Sequence, residues 1–337
     1  MRLFNIIKKW LREKRGYRFP LFDYNNNYGN ISYYQKCQWD SHFIKTSKNI
    51  NIEVLYYEFI KLLDNKSIEI LSKELGRLFL INDRYSNKLN IFTSKEVENI
   101  VNSHTKLYSS IVKLSNNCYA YKNYFLPIND FEVSTFIYNY GLDNINKDYL
   151  KGKSVIDAGA YIGDSCIVFE KQLPDVLSIY GFEPSKVAYN LLKKTIELNK
   201  SSKIIPVQIA LGNTTSVKSL VGNGMGMTLA PDSDTCNSKN MESVNVITLD
   251  QYVSEHKITV GLIKTDLEGF EQQFIEGALN TIKKFKPTLL ISIYHSAQDY
   301  FQIVNIIHSL NLGYKFSLFK ADDGYLIAGT LLICQID

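Results

Sequence analysis

The chain has 337 residues, 45% of them hydrophobic, and a formal net charge of +4, enough for a sizeable core in one large domain or two modest ones. Its apolar runs fall short of the about 18 residues that a membrane-spanning helix needs, and Lys8, Lys9 and Arg12 interrupt the apolar start where a secretory signal would be continuous. The positive charge is local: residues 1–18 hold Arg2, Lys8, Lys9, Arg12, Lys14, Arg15 and Arg18 against Glu13, so the rest is slightly acidic and lacks the spread of basic residues of a nucleic-acid binder.

In chain order, Met1 to Arg15 places Leu3, Ile6, Ile7, Trp10 and Lys14 on one helical face, flanked by Phe4 and Leu11, opposite a strongly basic one. A helix lying on an anionic membrane surface has this pattern. So does a terminal helix docked on its own subunit or on a partner, which leaves a homo-oligomer open. Residues 17–50, rich in Tyr and Asn without a clear period, are expected to be irregular with short turns. Leu55, Phe59, Leu62 and Leu63, then Ile68, Leu71, Leu75 and Leu78, recur at helical spacing. That predicts two helices over 52–77, broken at Asn65-Lys66-Ser67, with Ser67 capping the second. A further helix is expected over Ser94–Leu114, and Pro127 with Asn129-Asp130 marks a turn opening another at Phe131–Tyr140.

After Lys151-Gly152-Lys153 the texture changes. Strands are expected at Ser154–Ala160, Val176–Phe182, Lys203–Leu211, Val260–Thr265 and Thr288–Tyr294, with an insertion ahead of the fourth. Helices are expected at Asp164–Gln172, Ser185–Asn199, Phe270–Phe285 and Gln298–Leu310, and a closing hairpin pairs Tyr314–Phe319 with Tyr325–Cys334 around Asp322-Asp323-Gly324. Alternation of this length means a parallel sheet covered on both faces. The expected architecture is α/β: a Rossmann-like, mostly parallel seven-stranded sheet with helices on both faces over 151–337, in the layout of the class I methyltransferases. Ahead of it stand the basic amphipathic helix of 1–18 and a mainly helical region over 19–150, which carries no chemical motif and suits an acceptor cap or an oligomerisation surface. Cys37, Cys118, Cys166, Cys236 and Cys334 are scattered, with no CxxC pair, which points to free thiols in a reducing compartment. The cytoplasm is the expected address, with peripheral contact at the inner face of the membrane if residues 1–15 bind lipid.

The chemistry concentrates at the ends of these strands. Val155-Ile156-Asp157-Ala158-Gly159-Ala160-Tyr161-Ile162-Gly163-Asp164 runs from a buried strand through a glycine turn into a helix. Gly159 permits the tight turn, and Gly163 lets the helix start lie close to strand and ligand. The spacing is G-x-x-x-G rather than the G-x-G-x-x-G of a dinucleotide site; Tyr161 stands where a pyrophosphate needs bare backbone, and Asp157 would repel it. An acid here suits a cationic ligand without phosphate, and S-adenosylmethionine, with its amino group and sulfonium, is one. Glu183 ends the second strand in Gly181-Phe182-Glu183-Pro184, where a carboxylate can accept from both ribose hydroxyls of an adenosine. Ala210-Leu211-Gly212 ends the third, where backbone can approach an adenine ring. The cofactor-binding set is therefore Asp157, Gly159, Ala160, Tyr161, Gly163, Asp164, Glu183, Pro184, Ala210 and Asp266.

Asp266 and Glu268 lie two apart in Ile263-Lys264-Thr265-Asp266-Leu267-Glu268-Gly269, so extended backbone aims both to one side, although Glu268 also suits a cap of the next helix. His295 ends the fifth strand over the same crevice. An imidazole near neutral pH is the usual general base for an alcohol, which makes His295 and Asp266 the catalytic candidates; a hydrogen-bonded structural histidine is the plainer reading. In a metal-assisted variant the ligands of Mg²⁺ or Mn²⁺ would be Asp266, Glu268 and His295.

Taken in order, Asp157-Ala158-Gly159-Ala160-x-x-Gly163, Gly181-Phe182-Glu183-Pro184, Ala210-Leu211-Gly212, Thr248-Leu249-Asp250, the Ile263–Gly269 block and Ser292-Ile293-Tyr294-His295 resemble the successive blocks of the FkbM-type methyltransferases. The resemblance spans about residues 152–335 and is fainter over Leu62–Leu80. Many members have Glu where this chain has Ser292. The resemblance implies transfer of a methyl group from S-adenosylmethionine to a hydroxyl, often on a sugar or sugar-bearing natural product. The expected function is thus O-methylation of a saccharide, as a sugar nucleotide or a surface-glycan intermediate of polysaccharide biosynthesis. The rivals are a methyltransferase of another small molecule and a non-catalytic S-adenosylmethionine-binding module. Methylation of a nucleic-acid base is disfavoured, since the fourth strand ends in Thr265-Asp266-Leu267-Glu268 rather than an Asn/Asp-Pro-Pro-aromatic stacking motif.

Overall fold

The computed structural model describes residues 34–82, 91–221, 228–229 and 242–336; the amphipathic pattern over 1–15 and Cys236 lie outside the described residues. The first element, α1 (Gln38–Ser47), falls in the stretch expected to be irregular. Asp40 closes its first turn by accepting from the Cys37 amide at 3.2 Å. Phe43 is fully buried, edge-on to Tyr300 with ring centres 5.3 Å apart. In a helix this short, few apolar positions stand out from a Tyr- and Asn-rich background.

The helices α2 (Ile52–Ile60) and α3 (Asn65–Asn82) follow. Ser67 is not the cap of the second: Asp64 Oδ1 accepts from the Ser67 amide at 2.7 Å. The buried Ser67 hydroxyl instead accepts from Leu318 N at 2.8 Å, tying α3 to the sheet. A Thr93–Glu96 capping box opens α4 (Ser94–Tyr108), which stops short of the expected Leu114. The chain then enters an antiparallel meander of β1 (Ile111–Ser115), β2 (Cys118–Tyr121) and β3 (Tyr124–Leu126). The helix expected at Phe131–Tyr140 shrinks to α5 (Val133–Phe136). A 3-10 segment, Asn139–Asn144, follows it, turned out of helical geometry by φ 51° at Tyr140 and 77° at Gly141.

From here strands and helices alternate: β4 (Ser154–Ala158), α6 (Asp164–Gln172), β5 (Ile179–Phe182), α7 (Lys186–Asn199) and β6 (Ile204–Val207). The single strand expected over Lys203–Leu211 breaks after β6. Four short strands, β7 (Ala210–Leu211), β8 (Ser216–Val221), β9 (Thr228–Leu229) and β10 (Glu242–Ile247), form a separate sheet in the order β7-β10-β8-β9. Next come α8 (Leu249–His256) and β11 (Val260–Thr265). The expected Phe270–Phe285 helix is split into α9 (Glu271–Glu276) and α10 (Leu279–Phe285). Gly277 lies between them, packed so that a Cβ there would sit 1.9 Å from the Gly212 carbonyl oxygen. The chain ends in β12 (Thr288–Ser292), α11 (Ala297–Ser309), β13 (Lys315–Phe319) and β14 (Leu331–Gln335).

The main sheet has seven strands in the order β13-β14-β12-β11-β4-β5-β6. Strand β14 is antiparallel to both neighbours, and the pairs from β12 to β6 are parallel. This is the Rossmann-like α/β layout of class I methyltransferases. Strands β4, β11 and β12 are buried along their whole length, as strands covered on both faces must be. Alternate residues feed two cores: Ile156, Ile263 and Ile291 pack with Phe43, Leu71 and Phe301, while Val155, Leu262 and Leu290 pack with Tyr121, Phe136 and Phe169. The N-terminal helices therefore complete one face, and β1–β3 with α6 the other. No described helix is long and apolar enough to cross a membrane.

Candidate active site

The carboxyl ends of β4, β5, β7 and β11 open onto a cavity of about 630 Å³, at the place where open α/β sheets hold ligands. Gly159 makes the turn off β4 with φ +80°, and a Cβ there would lie 2.0 Å from the Asp266 carbonyl oxygen. Only glycine fits. The Asp266 amide donates to the Ala158 carbonyl at 3.0 Å, so the ends of β4 and β11 are locked together. Gly163, φ +83°, starts α6, and its bare Cα lets Leu192 of α7 approach within 2.5 Å of where a Cβ would stand.

Glu183 lines the cavity at the end of β5. Its two carboxylate oxygens accept from the amides of Tyr161 at 3.0 Å and Ser185 at 2.8 Å, which fixes the group while leaving each oxygen a lone pair. Burial pushes its carboxyl up to about 7 against the pull of those amides. Asp164, the first residue of α6, is likewise pushed up to about 7 by burial. Gly159, Tyr161, Asp164, Pro184, Ala210 and Asp266 also line the cavity.

Asp157 does not. Expected to meet the cofactor's cation, it is 0% exposed and paired with Lys264, whose Nζ lies 3.0 Å from Oδ1. Its other oxygen accepts from Ser165 Oγ at 2.5 Å and Cys166 Sγ at 3.2 Å. Lys264 Nζ also donates to the Gly159 carbonyl at 2.7 Å, so the pair acts as a pin beneath the glycine turn. Burial pulls the Lys264 pKa down, but Asp157, Tyr140 and Asp266 outweigh it and hold the ammonium charged. Ala160 is fully buried, and Gly163 likewise is not among the lining residues.

Asp266 reaches the cavity and is held by two phenols, Tyr140 at 3.2 Å and Tyr294 at 3.0 Å, each donating to one of its oxygens. Burial works against its charge, yet His295, Lys264 and Tyr294 hold its carboxyl below the usual carboxylate range. The His295 ring is 0% exposed and lies behind Asp266. Its Nε2 is 3.3 Å from Asp266 Oδ1 and its Nδ1 3.1 Å from Glu271 Oε1. Burial pulls its pKa down, but Glu271 and Asp266 raise it well above the usual value. Trp39 of α1 covers the ring edge-on, centres 4.7 Å apart. His295 is not among the residues lining the cavity and sits behind Asp266, so a base presented directly to an acceptor does not fit it. Glu268 stands at φ 55°, a left-handed turn that folds its side chain back into the cavity lining, rather than capping α9.

Residues 157–316 match the profile of the methyltransferase FkbM domain. Over that stretch the chain is similar to the FkbM methyltransferases. Among solved structures it is similar to the FkbM methyltransferase of Methylobacillus flagellatus KT, with 17% identity and a TM-score of 0.56, covering 86% of this chain and 60% of that one. The chain thus spans 60% of that protein's length. A tRNA m1G37 methyltransferase of Methanocaldococcus jannaschii is similar with 13% identity and a TM-score of 0.35, over 67% of this chain and 55% of that one. The same organism's TYW2, in complex with AdoMet, is similar with 13% identity and a TM-score of 0.34, over 68% and 89%. No curated protein sequence matches the chain significantly.

Within the matched residues 157–316, sequence reasoning missed Lys264, Glu271 and Tyr294, and outside them Trp39 and Tyr140. A lysine inside an otherwise apolar buried strand was the readable sign of Lys264, since such a charge survives only when paired. Trp39, His104, Tyr108, Asp130 and Glu132, all from the N-terminal region, complete the cavity wall with Asp323 and Tyr325. The last two lie in a loop that replaces the first half of the strand expected over Tyr325–Cys334, turned by Gly324 and Gly329 at φ 90° and 77°.

Proposed function

We propose that the chain is an S-adenosylmethionine-dependent O-methyltransferase acting on a hydroxyl of a saccharide. The observation that carries the cofactor assignment is Glu183, its carboxylate fixed by two backbone amides at the end of β5, next to a glycine turn too tight for any side chain. A carboxylate so placed accepts from a ribose diol, and the neighbouring Asp164 offers an anion to the cofactor's ammonium. Bound there, S-adenosylmethionine supplies a methyl group on a sulfonium.

Asp266 is the residue placed to take the acceptor's proton. With the cofactor bound, the Asp266 carboxylate would take the hydroxyl proton of the acceptor as its oxygen is methylated. Tyr140, Tyr294 and His295 hold that carboxylate in one orientation, and alignment of this kind can supply up to ~7–11 kcal/mol of the barrier. A saccharide suits the rest of the wall, where aromatic faces of Trp39, Tyr108 and Tyr325 alternate with carboxylates of Asp130, Glu132 and Asp323. Among the described lining residues the one ammonium, Lys264, is committed to Asp157 and Gly159. That favours the hydroxyl of an uncharged glycan unit over a sugar nucleotide, whose diphosphate would meet acids.

Calorimetry tests the cofactor site. S-adenosylmethionine should bind and NAD should not, and Glu183→Ala should weaken binding by ~1.5–3 kcal/mol. Unchanged affinity in that variant removes Glu183 from the site. Tritiated methyl transfer to a panel of glycans and sugar nucleotides then identifies the acceptor.

A further inference from the structure

We propose that Asp266, Glu268 and His295 bind a divalent cation, Mn²⁺ by preference, at the floor of the cavity beside the acceptor position. One ligand atom from each lies within 4.8 Å of the others. Two of the three residues hold buried ligand atoms short of partners: Oε2 of the half-buried Glu268 makes no hydrogen bond, and neither nitrogen of the fully buried His295 ring makes an aligned one. The ring's charge contacts to Asp266 and Glu271 are close but off the N–H directions. A proton on the ring balances part of the negative charge here and still leaves Glu268 unsatisfied. A cation between the three groups satisfies both.

The surroundings are those of a metal ligand. Glu271 is 0% exposed and is locked by the amides of Leu267 at 2.6 Å and Gly269 at 3.1 Å. It faces His295 Nδ1 at 3.1 Å, leaving Nε2 toward Asp266 at 3.3 Å. A carboxylate behind a histidine in this way orients the ring and raises its basicity as a ligand. Glu268 spends a left-handed, non-glycine backbone conformation, φ 55°, on pointing back to the same spot, and such strain clusters at functional sites. Two carboxylates and one imidazole are too nitrogen-poor for zinc's usual set and less purely oxygen than calcium prefers, which suits Mn²⁺. With three protein ligands the ion keeps positions open to the cavity, where vicinal hydroxyls of a sugar can chelate it. For that role, though not for the binding itself, the inference rests on the O-methyltransferase reading.

The test is titration of Mn²⁺ into the whole protein, followed by loss of the free ion's electron paramagnetic resonance signal. Saturable binding is expected at a single site per chain. Glu268→Gln and His295→Gln should each weaken it about tenfold or more, with the thermal midpoint of each variant reporting whether it is folded. Glu268 is a half-buried loop residue, so its variant keeps the test alive if the histidine variant does not fold. Failure of the wild-type protein to take up Mn²⁺ overturns the site, and so does binding that is equally tight in Glu268→Gln. S-adenosylmethionine calorimetry on the same samples separates the two readings. A chain that binds Mn²⁺ through these residues but no S-adenosylmethionine loses the methyltransferase reading and keeps the ion site; the converse result removes the site alone.

Discussion

Replacing Lys264 by Met should destabilise the protein by ~3–5 kcal/mol, the range for a buried charge left without its partner. Lys264 and Asp157 are Cα partners across β4 and β11, their side chains 3% and 0% exposed, with Nζ 3.0 Å from Oδ1. Without the ammonium, Asp157 keeps only the Ser165 hydroxyl and the Cys166 thiol as side-chain donors. Those donors cannot balance a full charge in a site closed to water. The volume of Met is close to that of the lysine stem, so the loss is electrostatic rather than a cavity. Adding Asp157→Asn removes the stranded charge, and the double variant should recover ~1–3 kcal/mol of the loss as coupling between the two sites. Urea unfolding followed by far-UV circular dichroism measures all four proteins. The same change frees the Gly159 carbonyl from its 2.7 Å bond to Nζ, so the affinity for S-adenosylmethionine should fall as well. Losses that simply add in the double variant, or a single variant within about 1 kcal/mol of wild type, would refute the pin.

Gly159→Ala forces a Cβ to 2.0 Å from the Asp266 carbonyl at φ +80°, and should cost ~2–5 kcal/mol from left-handed strain and overpacking together. Gly152→Ala, at φ +68° with nothing within 4 Å, carries the strain alone and should cost ~1–2 kcal/mol; equal losses in thermal midpoint would remove the close approach as a cause. Glu74 in α3 accepts from Tyr300 at 2.5 Å and Thr330 at 2.7 Å, and burial raises its carboxyl from 4.5 to about 7. The folded chain therefore keeps a proton between those values that the unfolded chain releases, so stability is greatest below about 4.5 and falls as pH rises to 7, by about 3 kcal/mol at most. Glu74→Gln should flatten that part of the profile; parallel unfolding curves for the two proteins from pH 5 to 8 would show that Glu74 is not the group responsible.

The strands of the main sheet were legible because a strand covered on both faces reads as a near-continuous apolar run, as in Val155-Ile156, broken only by Asp157, before Gly159 and Leu289-Leu290-Ile291 before Ser292. The meander was not, although Asn116-Asn117 and Lys122-Asn123 are turn signals between runs of β-branched and aromatic residues. Helical spacing carried on from α4 past Tyr108 and masked them, a conflict that period alone does not resolve. The site divides in the same way. A rule about strand ends brings Glu183 and Asp266 to the crevice without any coordinates. The same rule misplaces Asp157, one residue short of the end of its strand, because it says nothing of the side chain on the adjacent strand. Register decides that: Asp157 falls opposite Lys264, so both point to one face and neutralise each other. Pairing between strands so distant in sequence is a property of the folded sheet, set by the packing of two cores. His295 follows the same logic, since the carboxylate that turns its Nδ1 away from the cavity, Glu271, belongs to a helix that follows a different strand. A motif acid or base is thus located by its own segment, but its protonation and its chemistry are set by the neighbour that the fold brings to it.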